Sequence, residues 1–167
     1  MISRRALFAT GAGIVALAGA AIYGDHTHKL DDLARTIGLE PRRLPADSDM
    51  ALIKRAQADQ TRLLLWTKAA AARQSGLAKM FAPLIANTEA QLADLGGVAA
   101  NVRVGTPPAA DTAALDSVIV RHQRATAKRS KESLEAVSGD FAQVLASISV
   151  SLSQSLVVLL NARKALA

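Results

Sequence analysis

Residues 147–160 read SISVSLSQSLVVLL, and two incompatible patterns run through this stretch. Serine occupies every second position from Ser147 to Ser155, an alternation that is typical of a half-buried β-strand. Larger apolar residues also recur every three or four positions, as they do on one face of an amphipathic helix. These apolar residues are Phe141, Leu145, Ile148, Leu152, Leu156 and Leu159. The two patterns cannot both describe the fold.

The rest of the chain favours the helix. It offers no second strand with which this stretch could pair, and isolated strands are not independently stable. Half of the 167 residues are hydrophobic but only 3% are aromatic, a composition that suits close-packed helices better than a β-sandwich. Serines within a helix can hydrogen-bond to carbonyls of the preceding turn, so they need no catalytic explanation. We therefore predict an all-α fold with Ser151 and Ser155 inside or beside the apolar stripe.

Composition excludes several classes of function. The chain has no cysteine, so disulfides, thiolate metal sites and thiol nucleophiles are absent. Its length fits one domain with a modest core. A formal charge of +6 permits an anionic partner without demanding one.

The N-terminus, residues 1–24, reads MISRRALFATGAGIVALAGAAIYG and has the order of an export signal. Arg4 and Arg5 precede a long uncharged apolar run, and the pair is similar to the twin-arginine motif, whose signals carry folded proteins. Small residues at 18–20 offer a cleavage site. We predict export across the cytoplasmic membrane, with release after cleavage near Ala20. The alternative is a tether formed by the uncleaved segment, which at roughly 19 residues is just long enough to span a bilayer.

A polar linker is predicted at residues 25–47 and a four-helix bundle at residues 48–167. Apolar spacing places the helices at 48–74, 77–95, 112–137 and 141–164. The stretch GGVAANVRVGTPPAAD between the second and third helices is long enough to be a crossover along the whole bundle.

Helix ends are predicted from capping and turn residues. Asp47 or Ser48 is expected to cap the first helix, Asp111 or Thr112 the third, and Asp140 the fourth. Gly76 is expected to make the first turn, Gly96 and Gly97 to end the second helix, and Gly139 to end the third.

Two segments resemble the halves of exported bacterial ferritin-like domain proteins, over roughly residues 48 to 165. The resemblance is carried by three patterns: Leu-Ala-x-x-x-Ala-Pro-Leu at Leu77–Leu84, the helix ending Leu-Gly-Gly that starts at Leu95, and Leu-Ala-Ser-Ile that starts at Leu145. It implies a ferritin-like bundle with a long crossover between the second and third helices.

In ferritin-like di-metal proteins, each half supplies a Glu from one helix and a Glu-x-x-His from the next. Carried over by position, the first-half sites fall at Asp59 or Gln60 and then at Thr88 and Gln91. The second-half sites fall at His122 or Gln123 and then at Leu152 and Ser155. The resemblance therefore implies a degenerate site without a metal or other cofactor, at Gln60, Thr88, Gln91, Gln123, Leu152 and Ser155.

Basic residues cluster in RHQRATAKRSK, residues 121–131. Arg121, Arg124, Lys128, Arg129 and Lys131 are spaced to cover much of one helical flank, where they could meet an anionic membrane surface or an acidic protein. A simple solvated face is the competing interpretation. Nucleic acid is not expected, because no aromatic residues interleave with the basic ones to stack on bases.

These observations predict an exported, non-enzymatic helical bundle that acts as an envelope-associated accessory or interaction subunit, with another envelope protein or complex as its partner. One alternative is a metal-binding ferritin-like protein with atypical ligands, namely Asp59, Glu89, His122 and Glu132. Another is a small-ligand carrier that uses the bundle interior.

Overall fold

A computed structural model of the chain describes residues 47–166. These residues form four α-helices and no strand, which confirms the all-α prediction for this part of the chain. The helices are α1 (Asp47–Arg73), α2 (Ser75–Asp94), α3 (Asp111–Glu135) and α4 (Gly139–Ala165). The predicted export signal with Arg4 and Arg5 lies outside the described residues, as does the predicted linker up to residue 46.

The stretch that showed two patterns is helical throughout, inside α4. Ser153 and Ser155 donate to the carbonyls of Ser149 and Ser151 one turn earlier, at 2.9 and 3.1 Å. The predicted hydrogen bonds from serine hydroxyls to carbonyls of the preceding turn are therefore present. Of the helices that the structure describes, α4 alone is long and apolar enough to cross a membrane by length and composition. Its apolar stripe, however, is buried in the bundle core.

The chain reverses between α1 and α2 at Gln74, the single non-helical residue between them. The predicted turn at Gly76 is wrong, because Gly76 already lies within α2. The side chain of Gln74 stabilises this reversal by bonding to the loop that precedes α3. Its side-chain Nε2 donates to the carbonyls of Pro108 and Ala109 at 3.2 and 2.6 Å.

The connection from α2 to α3 runs back along α1, as predicted for the crossover. Gln57 Nε2 donates to the carbonyl of Leu95 at 2.7 Å, and the backbone N–H of Ala99 donates to Thr61 Oγ1 at 3.0 Å. The bonds from Gln74 fasten the far end. Because these contacts follow one another along α1, the loop returns the chain to the end at which α2 began. The helices α2 and α3 consequently run in the same direction.

The ends of α3 and α4 differ from the predicted caps. Ala110 precedes α3 without a side-chain cap, and Asp111 lies in the first turn. Ser138, not Asp140, caps α4: its Oγ accepts from the N–H of Phe141 at 3.4 Å. Gly139 begins α4 and does not end α3. The charge of Asp140 still suits the first turn of a helix, where it faces the positive end of the dipole.

The turn between α3 and α4 is also held by α1. Asp49 is 1% exposed, and its carboxylate accepts from the backbone N–H groups of Val137 and Ser138 at 2.9 and 2.7 Å. Two backbone donors that would otherwise need water are thereby satisfied. The start of α1 is tied to the second helical hairpin.

The hydrophobic core consists of two clusters. One fills the end of the bundle that holds the start of α1 and the start of α4. The other fills the opposite end, around Trp66, Phe81 and Leu115. The first comprises Leu52, Ile53, Ala56, Leu63, Leu95, Phe141, Val144, Leu145, Ile148 and Leu152. The second comprises Trp66, Ala70, Leu77, Phe81, Leu84, Ala114, Leu115, Val118, Ile119 and Leu159.

Gly97 and Gly139 form a matched pair for a test of the α2 terminus. A Cβ at either position would meet nothing within 4 Å, but only Gly97 has a positive φ, at +111°. We expect Gly97→Ala to lower the free energy of unfolding by about 1 to 2 kcal/mol through backbone strain. Gly139→Ala should be neutral or stabilising by up to about 1 kcal/mol. Urea unfolding measures both, and equal effects of the two changes would contradict the backbone explanation.

Candidate functional site

A layer of buried polar side chains separates the two hydrophobic clusters. On α2, α3 and α4, its members fall in sequence between the residues of one cluster and those of the other. They are Gln60, Thr88, Gln91, His122 and Ser155, with exposures of 0, 2, 5, 1 and 7%. We call this set the central polar layer. It lies where the resemblance to ferritin-like proteins places the metal ligands.

The central polar layer is held by side-chain hydrogen bonds that link three helices. Gln60 Nε2 on α1 donates to Gln91 Oε1 on α2 at 2.5 Å, and Gln91 Nε2 donates to Ser151 Oγ on α4 at 3.0 Å. Gln60 Oε1 is buried without a partner. The amide of Gln91 therefore both accepts from Gln60 and donates to Ser151 at the centre of the bundle.

The other positions carried over from the ferritin-like pattern are closed in different ways. Thr88 Oγ1 donates to the carbonyl of Leu84 at 2.8 Å within its own helix, as Ser155 does to Ser151. Leu152 is 1% exposed and belongs to the first hydrophobic cluster. These positions are therefore occupied either by an apolar side chain or by hydroxyl groups that bond within their own helix.

Burial separates the two candidates on α3. Gln123 is exposed, so its assignment to the degenerate site was wrong, whereas His122 is 1% exposed. The Nδ1 of His122 lies 3.0 Å from the carbonyl of Val118, the preceding turn's acceptor. Burial lowers the pKa of His122, partly opposed by this hydrogen bond, and so favours the neutral imidazole.

Arg129 was predicted to belong to an exposed basic flank, and this prediction was wrong because the side chain is completely buried. Its Nη2 lies 3.2 Å from Asp59 Oδ2 on α1 and 2.6 Å from Glu132 Oε2 on its own helix. Burial lowers the pKa of Arg129 and raises the pKa of Glu132, and the attraction between the two charges opposes both shifts. Arg129 is therefore an internal ion-pair residue.

The sequence contained a signal for Arg129 that the prediction missed. The buried stripe of α3 runs through Leu115, Val118 and His122, and the same spacing of three and four continues to Arg129 and Glu132. Opposite charges on successive turns of a buried stripe indicate an internal pair.

The remaining basic residues of the predicted flank are not equivalent. The guanidinium carbon of Arg121 lies 3.6 Å from the centroid of the Trp66 ring, a cation–π arrangement. Trp66 in turn donates from Nε1 to Ser117 Oγ at 3.0 Å. Lys131 is exposed and lies 3.6 Å from Glu135. Arg124 and Lys128 are exposed on the side that faces α1.

A surface groove between α1 and α3 collects most of these cations. Its volume is about 160 Å³, and Leu63 and Ala125 contribute apolar surface to its lining. The charged side chains that line it are Asp59, Arg62, Arg121, Arg124 and Lys128. We call this feature the basic groove. Asp59 bonds there to Arg62 at 2.8 Å and to Lys128, in addition to the buried Arg129.

The atypical metal ligands of the alternative prediction do not assemble. Among residues 47–166, no three His, Asp or Glu side chains are placed to share a metal ion. Glu89 is half exposed and pairs with Lys68 at 2.7 Å, on the α1–α2 side of the bundle. Asp59 and Glu132 are committed to Arg129.

Comparison of the chain with protein-family models, with curated proteins and with solved structures gave no match. The roles of the central polar layer and of the basic groove have to be inferred from their own geometry and chemistry.

Truncation of the central polar layer should destabilise the fold. Gln91→Ala removes the partner of both Gln60 and Ser151, and we expect it to lower the free energy of unfolding by about 1 to 3 kcal/mol. Gln154→Ala, an exposed glutamine on α4, is the matched control and should change it by less than about 0.5 kcal/mol.

Leu152→Ala should cost about 2 to 5 kcal/mol through lost burial and the cavity that remains. Chemical unfolding of the three variants measures these differences. If Gln91→Ala and Leu152→Ala were as silent as Gln154→Ala, the central packing described here would be wrong.

The buried His122 should make stability depend on pH. The imidazole has a lowered pKa in the fold, whereas in the unfolded chain it titrates near 6.5. As the pH falls through 6.5, the unfolded state binds a proton that the folded state does not, so stability falls. His122→Asn keeps a donor near the carbonyl of Val118 and removes this titration.

The measurement is the difference in free energy of unfolding between wild type and His122→Asn from pH 7.5 to 5, an interval chosen to span the ordinary histidine pKa. We expect the difference to shift against the wild type as the pH falls. Glu132 and Asp94, whose pKa values are raised by burial, are present in both proteins and cancel. Parallel curves for the two proteins would show that His122 titrates normally in the fold.

Proposed function

We propose that this chain is an exported, non-enzymatic ferritin-like bundle whose di-metal positions are degenerate, and that it acts by contact as an accessory subunit of another envelope protein or complex. Support for the ferritin-like relationship comes from the connection order. Two helical hairpins, α1–α2 and α3–α4, are joined by a long crossover that fastens along α1. This is the order of a four-helix bundle with one long connection.

The observation that carries the proposal is the closure of the central polar layer. At the positions where a di-metal protein presents carboxylates and imidazoles, Gln60 donates to Gln91, and Leu152 adds hydrocarbon. Gln91 donates in turn to Ser151, which lies beside these positions. Neutral amides and a hydroxyl do not form the carboxylate cage of a di-metal site. The one imidazole of the layer, His122, lies 3.0 Å from the carbonyl of Val118 in its own helix. A bundle built in this way presents its chemistry on the surface.

Export is supported by the N-terminal sequence, in which Arg4 and Arg5 precede the apolar run. The matched test replaces Arg4 and Arg5 by Lys in one variant and Arg42 and Arg43, the other adjacent arginine pair, in a second. We expect the first to abolish translocation and the second to have no effect, because a twin-arginine signal is read as an address and not as charge alone. Cell fractionation with a C-terminal tag measures both, and continued export of the first variant would overturn the assignment.

Two measurements test whether the chain acts by binding another protein: its size in envelope extracts and the metal content of the purified chain. We expect the tagged chain in gently extracted envelopes to migrate as a larger species than the purified chain alone. Elemental analysis of the purified chain should find no stoichiometric iron, manganese or zinc. Equal sizes in the two preparations, or a stoichiometric metal, would refute the proposed function.

A further inference from the structure

Positive charge is concentrated in the basic groove without matching negative charge. Four cationic side chains line it, and Asp59 is its only lining carboxylate among the described residues. That carboxylate is already shared by Arg62, Lys128 and the buried Arg129. Arg121 and Arg124 line the same groove and repel each other: burial lowers the pKa of Arg121, and the positive charge of Arg124 lowers it further. A bound anion would relieve this repulsion.

The groove also has a defined shape. The guanidinium of Arg121 is fixed against the ring of Trp66, and Trp66 is fixed by its bond to Ser117. Between the cations, Leu63 and Ala125 add apolar surface, and the volume of about 160 Å³ is close to that of cavities that hold a single benzene ring. The lining thus combines clustered cations with room for a small apolar group.

We propose that the basic groove binds a small phosphate ester, with the phosphoryl group among Arg62, Arg121 and Arg124 and the ester group against Leu63 and Ala125. Arginine guanidinium groups match phosphate oxygens in bidentate geometry, and a dianion compensates an excess of several positive charges better than a single carboxylate does. This binding does not rest on the proposed function. It requires neither export nor a protein partner.

Phenyl phosphate is the probe that fits the groove in charge and size. Isothermal titration of the full-length chain should show one site, and Trp66, the only tryptophan of the chain, should report the same event through its fluorescence because Arg121 covers its ring. Benzoate, with one charge, should bind more weakly, and benzyl alcohol should not bind. Equal binding of all three would overturn the proposal, because it would show that charge is not recognised.

Arg124→Gln and Lys131→Gln provide the matched variants. Each removes one exposed positive charge from α3, but only Arg124 lines the groove. We expect Arg124→Gln to weaken phenyl phosphate binding by about tenfold or more, the effect of one charge-assisted hydrogen bond, and Lys131→Gln to leave it within about twofold. Circular dichroism and thermal unfolding verify that both variants fold. Equal weakening by both would assign binding to net charge and refute the groove.

A phosphate ester could be a free molecule or the headgroup of an anionic lipid, and flotation with vesicles distinguishes the two. Recruitment to phosphatidic acid but not phosphatidylcholine vesicles, lost in Arg124→Gln and blocked by phenyl phosphate, would identify a lipid headgroup. Insertion of the N-terminal apolar segment would recruit both variants equally to both vesicles. Phenyl phosphate binding without such groove-dependent recruitment would identify a free ester. If neither ligand showed dependence on Arg124, the proposal would fail.

Discussion

The hydrogen bonds from Gln60 to Gln91 and from Gln91 to Ser151 are the constraint on which the arrangement of the bundle depends. Apolar contacts between alanine-rich and leucine-rich helix faces are non-directional, so they specify the register of the helices less strictly than hydrogen bonds do. Displacing one helix by a turn, about 5.4 Å, would leave buried amides without partners at about 1 to 3 kcal/mol each. The polar bonds join α1, α2 and α4. They therefore select one register from packings that the hydrophobic residues alone would not distinguish.

The remaining helix, α3, is held in place by different interactions. Ser149 Oγ donates to the carbonyl of Thr126 on α3, and the buried Arg129 connects α3 to Asp59 on α1. The burial of Arg129 carries a desolvation cost that its hydrogen bonds do not fully offset, because its Nε and Nη1 have no hydrogen-bond partner. A buried ion pair also often contributes little net stability. What it does accomplish is positional. It holds the carboxylate of Asp59 between the interior and the surface, where Asp59 in turn orients Arg62 and Lys128.

The sequence predicted the helices well and their connections unevenly, for physical reasons. Apolar spacing located all four helices to within two residues at each end, and glycine correctly marked the end of α2, where Gly96 and Gly97 have positive φ. The turn after α1 was misplaced because Gln74 makes it with bonds to a loop over thirty residues away. A distant partner of this kind leaves no local signal.

The structure buries four of the positions that the resemblance implied, namely Gln60, Thr88, Gln91 and Ser155. The prediction named neither Ser151 as the partner of Gln91 nor the basic groove. Spacing along α3 shows which cations share a flank, yet it does not show that α1 is its neighbour. It also does not show that Arg121 lies over Trp66 or that Asp59 takes three cations. The polar residues of α3 therefore fall into two groups, one that faces the interior and one that faces the surface. His122, Arg129 and Glu132 are turned inward and matched within the fold, whereas Arg121 and Arg124 leave positive charge at the surface. Among the described residues, the positive charge that no carboxylate balances therefore lies on the α1–α3 face. The centre holds neutral groups, of which Gln60, Gln91 and Ser151 are linked by hydrogen bonds.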